Sequence, residues 1–206
     1  MANWCANRLE VAHDDLEALE GLIAGANAGQ LLDFLRPMPG GLDGASLESD
    51  RGTDGVEAMF RIATGMMSLT HWYGWRRHHW GTSWEAREIA FRDDEGAFVR
   101  PKDGDEAILG QRPDGRWYAN LTFETAWDPP VEAYRGAEAR GFHVSATYFE
   151  EGNGFVGTYV DGTENLFEFP DPSNAGAVAS WLDTVPARLD AEYDLRQILT
   201  GTAATG

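Results

Sequence analysis

The chain has 206 residues, 43% hydrophobic and 12% aromatic with 8 Trp and 10 Phe, enough apolar surface to offset the entropy of folding, which excludes a disordered acidic chain. Its formal net charge of -18 repels nucleic acid and anionic membranes, and so argues against unaided binding to either. One cysteine, Cys5, excludes an internal disulfide, and no stretch approaches the roughly 20 apolar residues of a membrane span.

The start MANWCANRLEV has no signal-peptide pattern, so the expected location is the cytoplasm. Residues 3–12 alternate as a strand, with Cys5, Leu9 and Val11 on one side and Trp4, Arg8 and Glu10 on the other. Leu16, Leu19, Leu22 and Ile23 then recur at helical spacing, after an acidic first turn and before Gly29. LLDFLRPMPGG, stopped by Pro37 and Pro39, reads as an extended segment entering a loop. Residues 40–57, with five glycines and no periodicity, read as an exposed loop, and residues 58–80 as one or two helices.

EAREIAFRD alternates as a second strand, and Asp93 to Gly115 is polar and turn-rich. WYANLTFETAW is a third strand with Ala119, Leu121 and Phe123 on one face. PPVEAYRGAEARGF opens with prolines suited to a helix start, and HVSATYFEE is a fourth strand with Val144, Ala146 and Tyr148 inward. GFVGTYV and NLFEF flank Asp161-Gly162-Thr163 as a hairpin. SNAGAVASWLDTV and PARLDAEYDLRQIL read as helices, and TGTAATG as a frayed tail.

The predicted class is α+β. Strand, helix, long insertion, strand, strand, helix, strand is the order of the split βαβ, or ferredoxin-like, sandwich. The expected domain covers residues 1–170, with an insertion over 37–84. Helices over 171–199 are expected on the same core, followed by a flexible tail over 200–206.

MANWCANRLEV, LRPMP, HWYGWRRHHWGTSWEA, FETAWDPP and YFEEGNGFVGTY occur in this order over about three quarters of the chain. Together they resemble the YubB ferredoxin-like family of phage- and plasmid-borne proteins. The resemblance implies the fold and a mobile-element origin, and assigns no catalytic residue and no cofactor.

Charge is unevenly spread. Residues 1–60 carry 11 acidic and 3 basic side chains, residues 61–84 none and 3, and residues 85–206 carry 23 and 10. The carboxylate-free island is also rich in aromatic residues, with Trp72, Tyr73, Trp75, Trp80 and Trp84. In a split βαβ sheet of order 4-1-3-2, strands one and two start where strands three and four finish. One pole then carries Trp4, Trp75, Arg76, Arg77, His79, Trp80, Trp84, Trp127, Asp128 and Glu150, the candidate binding residues. Such a pole serves either as a secondary core that packs the insertion or as a contact surface, since Trp and Arg are enriched at interface hot spots.

No Gly-rich phosphate loop, GxSxG elbow, HExxH helix or paired CxxC occurs. His71 and His78 lie two helical turns apart, too far to share a metal ion unaided, and no metal or cofactor is expected. Glu150 and Glu151 point to opposite faces of a strand, so at most one joins Asp128. The outward strand residues Tyr118 and Phe149 lack the basic flank of an RNA-binding sheet.

The resulting expectation is a non-enzymatic, acidic, protein-binding factor of a mobile element, whose partner has a basic nucleic-acid-binding groove. It would act as an inhibitor imitating nucleic acid. The alternatives are a small-ligand binder or enzyme using the same pole, and a nucleic-acid binder acting through residues 61–84. Composition does not specify an oligomeric state.

Overall fold

The alternation of residues 3–12 folds as a ten-residue strand, β1 (Trp4–His13), with Cys5, Leu9 and Val11 buried and Arg8 exposed. The computed structural model describes residues 3–40, 42, 72–93, 96–99 and 108–201. Of the expected loop over 40–57 all but residues 40 and 42, of the expected helices over 58–80 the part up to 71, and of the expected tail over 200–206 the part beyond 201 lie outside the described residues.

Helix α1 (Leu16–Asn27) starts where the Asp15 carboxylate accepts the Glu17 N–H, and it buries Leu19, Leu22, Ile23 and Ala26. Leu31–Leu35 is a short helix, α2, and not the extended segment expected from its prolines. The reason is distant in sequence. The carboxylate of Glu85 accepts the N–H groups of Leu32 and Asp33, which no residue of the helix itself satisfies. After α3 (Trp72–His79) come β2 (Arg87–Arg92), β3 (Phe98–Val99), β4 (Leu109–Gln111) and β5 (Trp117–Ala126). Then follow α4 (Val131–Glu138), β6 (His143–Glu150), β7 (Phe155–Val160) and β8 (Thr163–Glu168). The chain closes with α5 (Ala175–Thr184), α6 (Ala187–Tyr193) and α7 (Leu195–Thr200), the last two separated by Asp194 in the left-handed region at φ 52°.

All the described strands join one antiparallel sheet of order β3-β2-β5-β1-β6-β7-β8, with β4 also paired to β5. The four strands expected from the sequence stand as β2-β5-β1-β6 within it. Among the described residues the sheet is twice that size because the stretch expected to be polar and turn-rich supplies β3 and β4, and because the hairpin β7–β8 extends the edge beyond β6.

One face carries the main core, where Leu19, Leu22, Tyr134 and Ala137 of α1 and α4 meet Leu9, Leu121 and Tyr148 of the sheet. The C-terminal helices do not join it, contrary to expectation. Val178, Leu182, Leu189, Leu195 and Leu199 form a second cluster with Val156 on the other face, flanked by Phe149 and Phe167. The strand alternation explains this: Tyr148 and Phe149 are neighbours and point to opposite sides.

Gly157 makes room for this arrangement. A Cβ there would stand 2.4 Å from Cε2 of the fully buried Tyr148 ring, so only glycine lets the ring lie across β7. Gly157→Ala is expected to cost about 1–3 kcal/mol by overpacking, read as a lowered midpoint in thermal or urea unfolding.

Candidate functional site

The first residues of β1 and the last of β5 are paired, Trp4 opposite Ala126, and the Trp127 N–H extends the ladder to the Asn3 carbonyl at 3.0 Å. Trp127 takes φ 65°, an uncommon conformation for a bulky side chain. Beside it, Thr125 Oγ1 donates to the Asp128 carbonyl at 2.8 Å. Thr82 Oγ1 donates to the Ala126 carbonyl at 3.0 Å, which ties the segment before β2 to the same strand end.

Trp84 therefore lies between Trp4 and Trp127, at centroid distances of 6.0 and 5.1 Å, and stays 40% exposed. The Arg87 guanidinium sits 3.2 Å from the Trp4 ring centre while donating to Glu124 Oε2 at 2.9 and 2.7 Å. Arg77 is 3.9 Å from Asp128, both about half exposed, so this ion pair adds little to stability.

The other candidates do not join this surface. Trp75 and Trp80 are buried, and Trp80 Nε1–H donates to the Arg36 carbonyl at 2.8 Å. The Arg76 guanidinium lies 4.6 Å from Trp80 and 5.2 Å from Trp72. His79 packs 4.5 Å from Trp75, and its carbonyl accepts Arg36 Nη1 at 3.1 Å. Glu150 is buried and accepts the N–H groups of Gly152 and Asn153, closing the turn after β6. The ten candidates thus divide into a surface set in which Arg77 and Trp84 are exposed and Trp4, Trp127 and Asp128 half-buried, a packing wedge (Trp75, Arg76, His79, Trp80) and a turn residue (Glu150).

Burial first, and Glu150 second, raise the Asp128 pKa against the opposing pull of Arg77. His79 is lowered by burial, then by Arg36 and His78. The Cys5 thiol is pushed well above its ordinary range by burial, with Glu150 and Asp128 adding to it. Glu85 is raised by burial, although three backbone N–H groups stabilise its charged form.

Arg36, Glu85 and Arg87, all missed in the sequence, organise this end of the molecule. Arg36 donates to the carbonyls of both His79 and Glu132, clamping α3 to α4. The available signal for Glu85 was its position as the first carboxylate after the island.

Two open concavities, of about 500 and 650 Å³, lie on the outer sheet face, and none of the ten candidates lines either. Within them Arg112 pairs with Glu10, and Arg8 stands 3.6 Å from Glu192. Tyr193 stacks on Phe149 at 5.3 Å, so α6 occupies the aromatic position that an RNA-binding sheet would leave open.

Among the described residues no group of three or more His, Cys, Asp or Glu side chains is placed to hold a metal ion. His71 lies outside them. No described helix is long and apolar enough to cross a membrane.

No family model matches the chain, and no curated protein matches it. Among solved structures, the chain is similar to a protein api92 from Yersinia pseudotuberculosis, described with the family model DUF1281. The two are 13% identical, the match covers 83% of this chain and 99% of that one, and the TM-score is 0.36.

Three outcomes follow from Cys5 and Glu85. Cys5 is expected to stay unreactive toward an aromatic disulfide reagent in the native protein and to react fully in denaturant, as absorbance at neutral pH reports. Glu85→Ala removes the acceptor for three N–H groups and is expected to cost about 1–3 kcal/mol in urea unfolding. With its folded pKa raised, Glu85 binds its proton more readily folded than unfolded. Its contribution to stability therefore grows as pH falls from neutral toward the unfolded pKa, and Glu85→Gln removes that pH-dependent part.

Proposed function

We propose that this chain is a non-enzymatic, acidic binding protein whose contact surface is the exposed half of the tryptophan pole. The observation that carries the reading is Trp84, left 40% exposed between Trp4 and Trp127 when two other tryptophans of the same segment are buried. Three adjacent indoles bordered by Arg77 and Arg87 have the composition of an interface hot spot.

The partner we infer is a protein with a basic nucleic-acid-binding groove, drawn by the charge of -18 and anchored by the indoles. The protein then acts as an inhibitor that imitates nucleic acid, consistent with the mobile-element origin implied by the YubB resemblance. The strands β2-β5-β1-β6 with α1 and α4 are read as the split βαβ unit of that family, enlarged by four further strands.

Two other readings have less support. A ligand pocket at the pole competes with Trp75 and Trp80, which fill the space beneath α3. Nucleic-acid binding through α3 competes with the stacking of Arg76 on Trp80 and the pairing of Arg77 with Asp128.

The test is retention of partners from a bacterial lysate, by wild type and Trp84→Ala. A nucleic-acid-handling protein is expected on the wild type, released by salt and by competing DNA, and weakened about tenfold or more by the substitution without a change in melting temperature. Recovery of no such protein, or retention indifferent to salt, would overturn the proposal.

A further inference from the structure

Strand β8 ends the sheet order, and among the described residues it pairs with β7 alone. Its hydrogen-bonding parity is set at both ends. Val160 and Thr163 close the two-residue turn, and the Phe169 N–H donates to the Gly154 carbonyl at 2.7 Å. Odd-numbered residues therefore bond inward to β7, and Glu164, Leu166 and Glu168 direct their N–H and C=O groups to the open edge.

The same three residues share one face. It is the face of the main core, because Tyr148 Oη–H donates to Glu164 at 2.8 Å. Leu166 is 51% exposed there, between two carboxylates. The edge thus presents backbone groups ready for a ladder and a side-chain pattern of acid, apolar, acid.

A second copy fits this edge poorly. The self-pairing of greatest overlap centres on Leu166 and sets Glu164 of each copy directly opposite Glu168 of the other. Like charges in directly opposed strand positions are destabilising. The complementary occupant is a strand with a basic, an apolar and a basic residue at alternate positions.

We propose that β8 accepts an extended basic segment of another protein as an added antiparallel strand, with Lys or Arg opposite Glu164 and Glu168 and an aliphatic residue opposite Leu166. The inference stands apart from the tryptophan surface, three strands away at β1, and Trp84→Ala leaves it untouched.

The probe is a fluorescent peptide containing Lys-Val-Val-Thr-Lys, followed by anisotropy against the full chain. A control peptide carries N-methyl groups at the two lysines and the valine between them that face the edge, keeping charge and removing the ladder donors. Binding of the first, and at least about tenfold weaker binding of the second, is expected from the lost hydrogen bonds. Equal binding would mean nonspecific attraction to an acidic protein and would overturn the proposal.

Leu166→Pro removes one outward N–H and spares the ladder to β7, as prolines on edge strands do. It is expected to abolish binding with an unchanged melting temperature, and unchanged binding overturns the proposal. If it fails to fold, Glu168→Lys decides: preference should pass to a peptide with glutamate in place of the first lysine, and a retained preference for lysine is the contrary result. Sedimentation of the wild type alone is expected to show no dimer dependent on Leu166; such a dimer would assign the edge to a second copy and overturn the proposal.

Discussion

The register between β1 and β5 holds Trp4 against Ala126 at one end and His13 against Trp117 at the other, without a bulge. A slip of one residue would turn Cys5, Leu9 and Val11 away from the helices, so burial of one face pins all ten pairs. Asn7 sits in the middle of this ladder and reinforces it, donating to the Cys5 carbonyl and Thr125 Oγ1 while accepting from Tyr134 of α4. The position of the pole follows from the pairing: where β5 runs out, Trp127 arrives beside Trp4, and Trp84 lands between them.

Within that pole, the buried and exposed tryptophans depend on one another. Trp80 is fixed by its bond to the Arg36 carbonyl and by Trp75 against its edge. Thr82 anchors the chain two residues on, and Trp84 is carried out to the surface two residues later. The wedge is thus the mount on which the exposed ring is held. Glu85 continues the same segment by reaching under α2, so a single stretch of six residues joins α2, β5 and the contact surface.

Strand positions were readable because each inward residue repeats at period two, and β1, β5 and β6 bury the residues that the alternation assigns. The convergence of strand ends was readable too, since it depends on strand order alone. The failures have a common cause in partners remote in sequence. α2 is helical because of Glu85, 53 positions away. Glu150 was expected at the binding pole, and its carboxylate is taken by its own turn. Nothing in PARLDAEYDLRQIL distinguishes one face of the sheet from the other; the choice is made by Val156 and Phe149, whose outward apolar side chains need cover.

The long-range character of the central ladder also orders the birth of the structure. Asn7 and Thr125 are in hydrogen-bond contact across 118 positions, and β1 has no described strand partner until β5 has been made. On a ribosome adding about 5–20 residues per second, the first strand waits several seconds for its partner strand. Strands β6, β7 and β8 then arrive in the order in which they pair, each laid on an edge already present. The last of the described strands to be synthesised, β8, ends the sheet order, so among the described residues the growth of the sheet at this side halts at an acidic strand that discourages its own kind from continuing it.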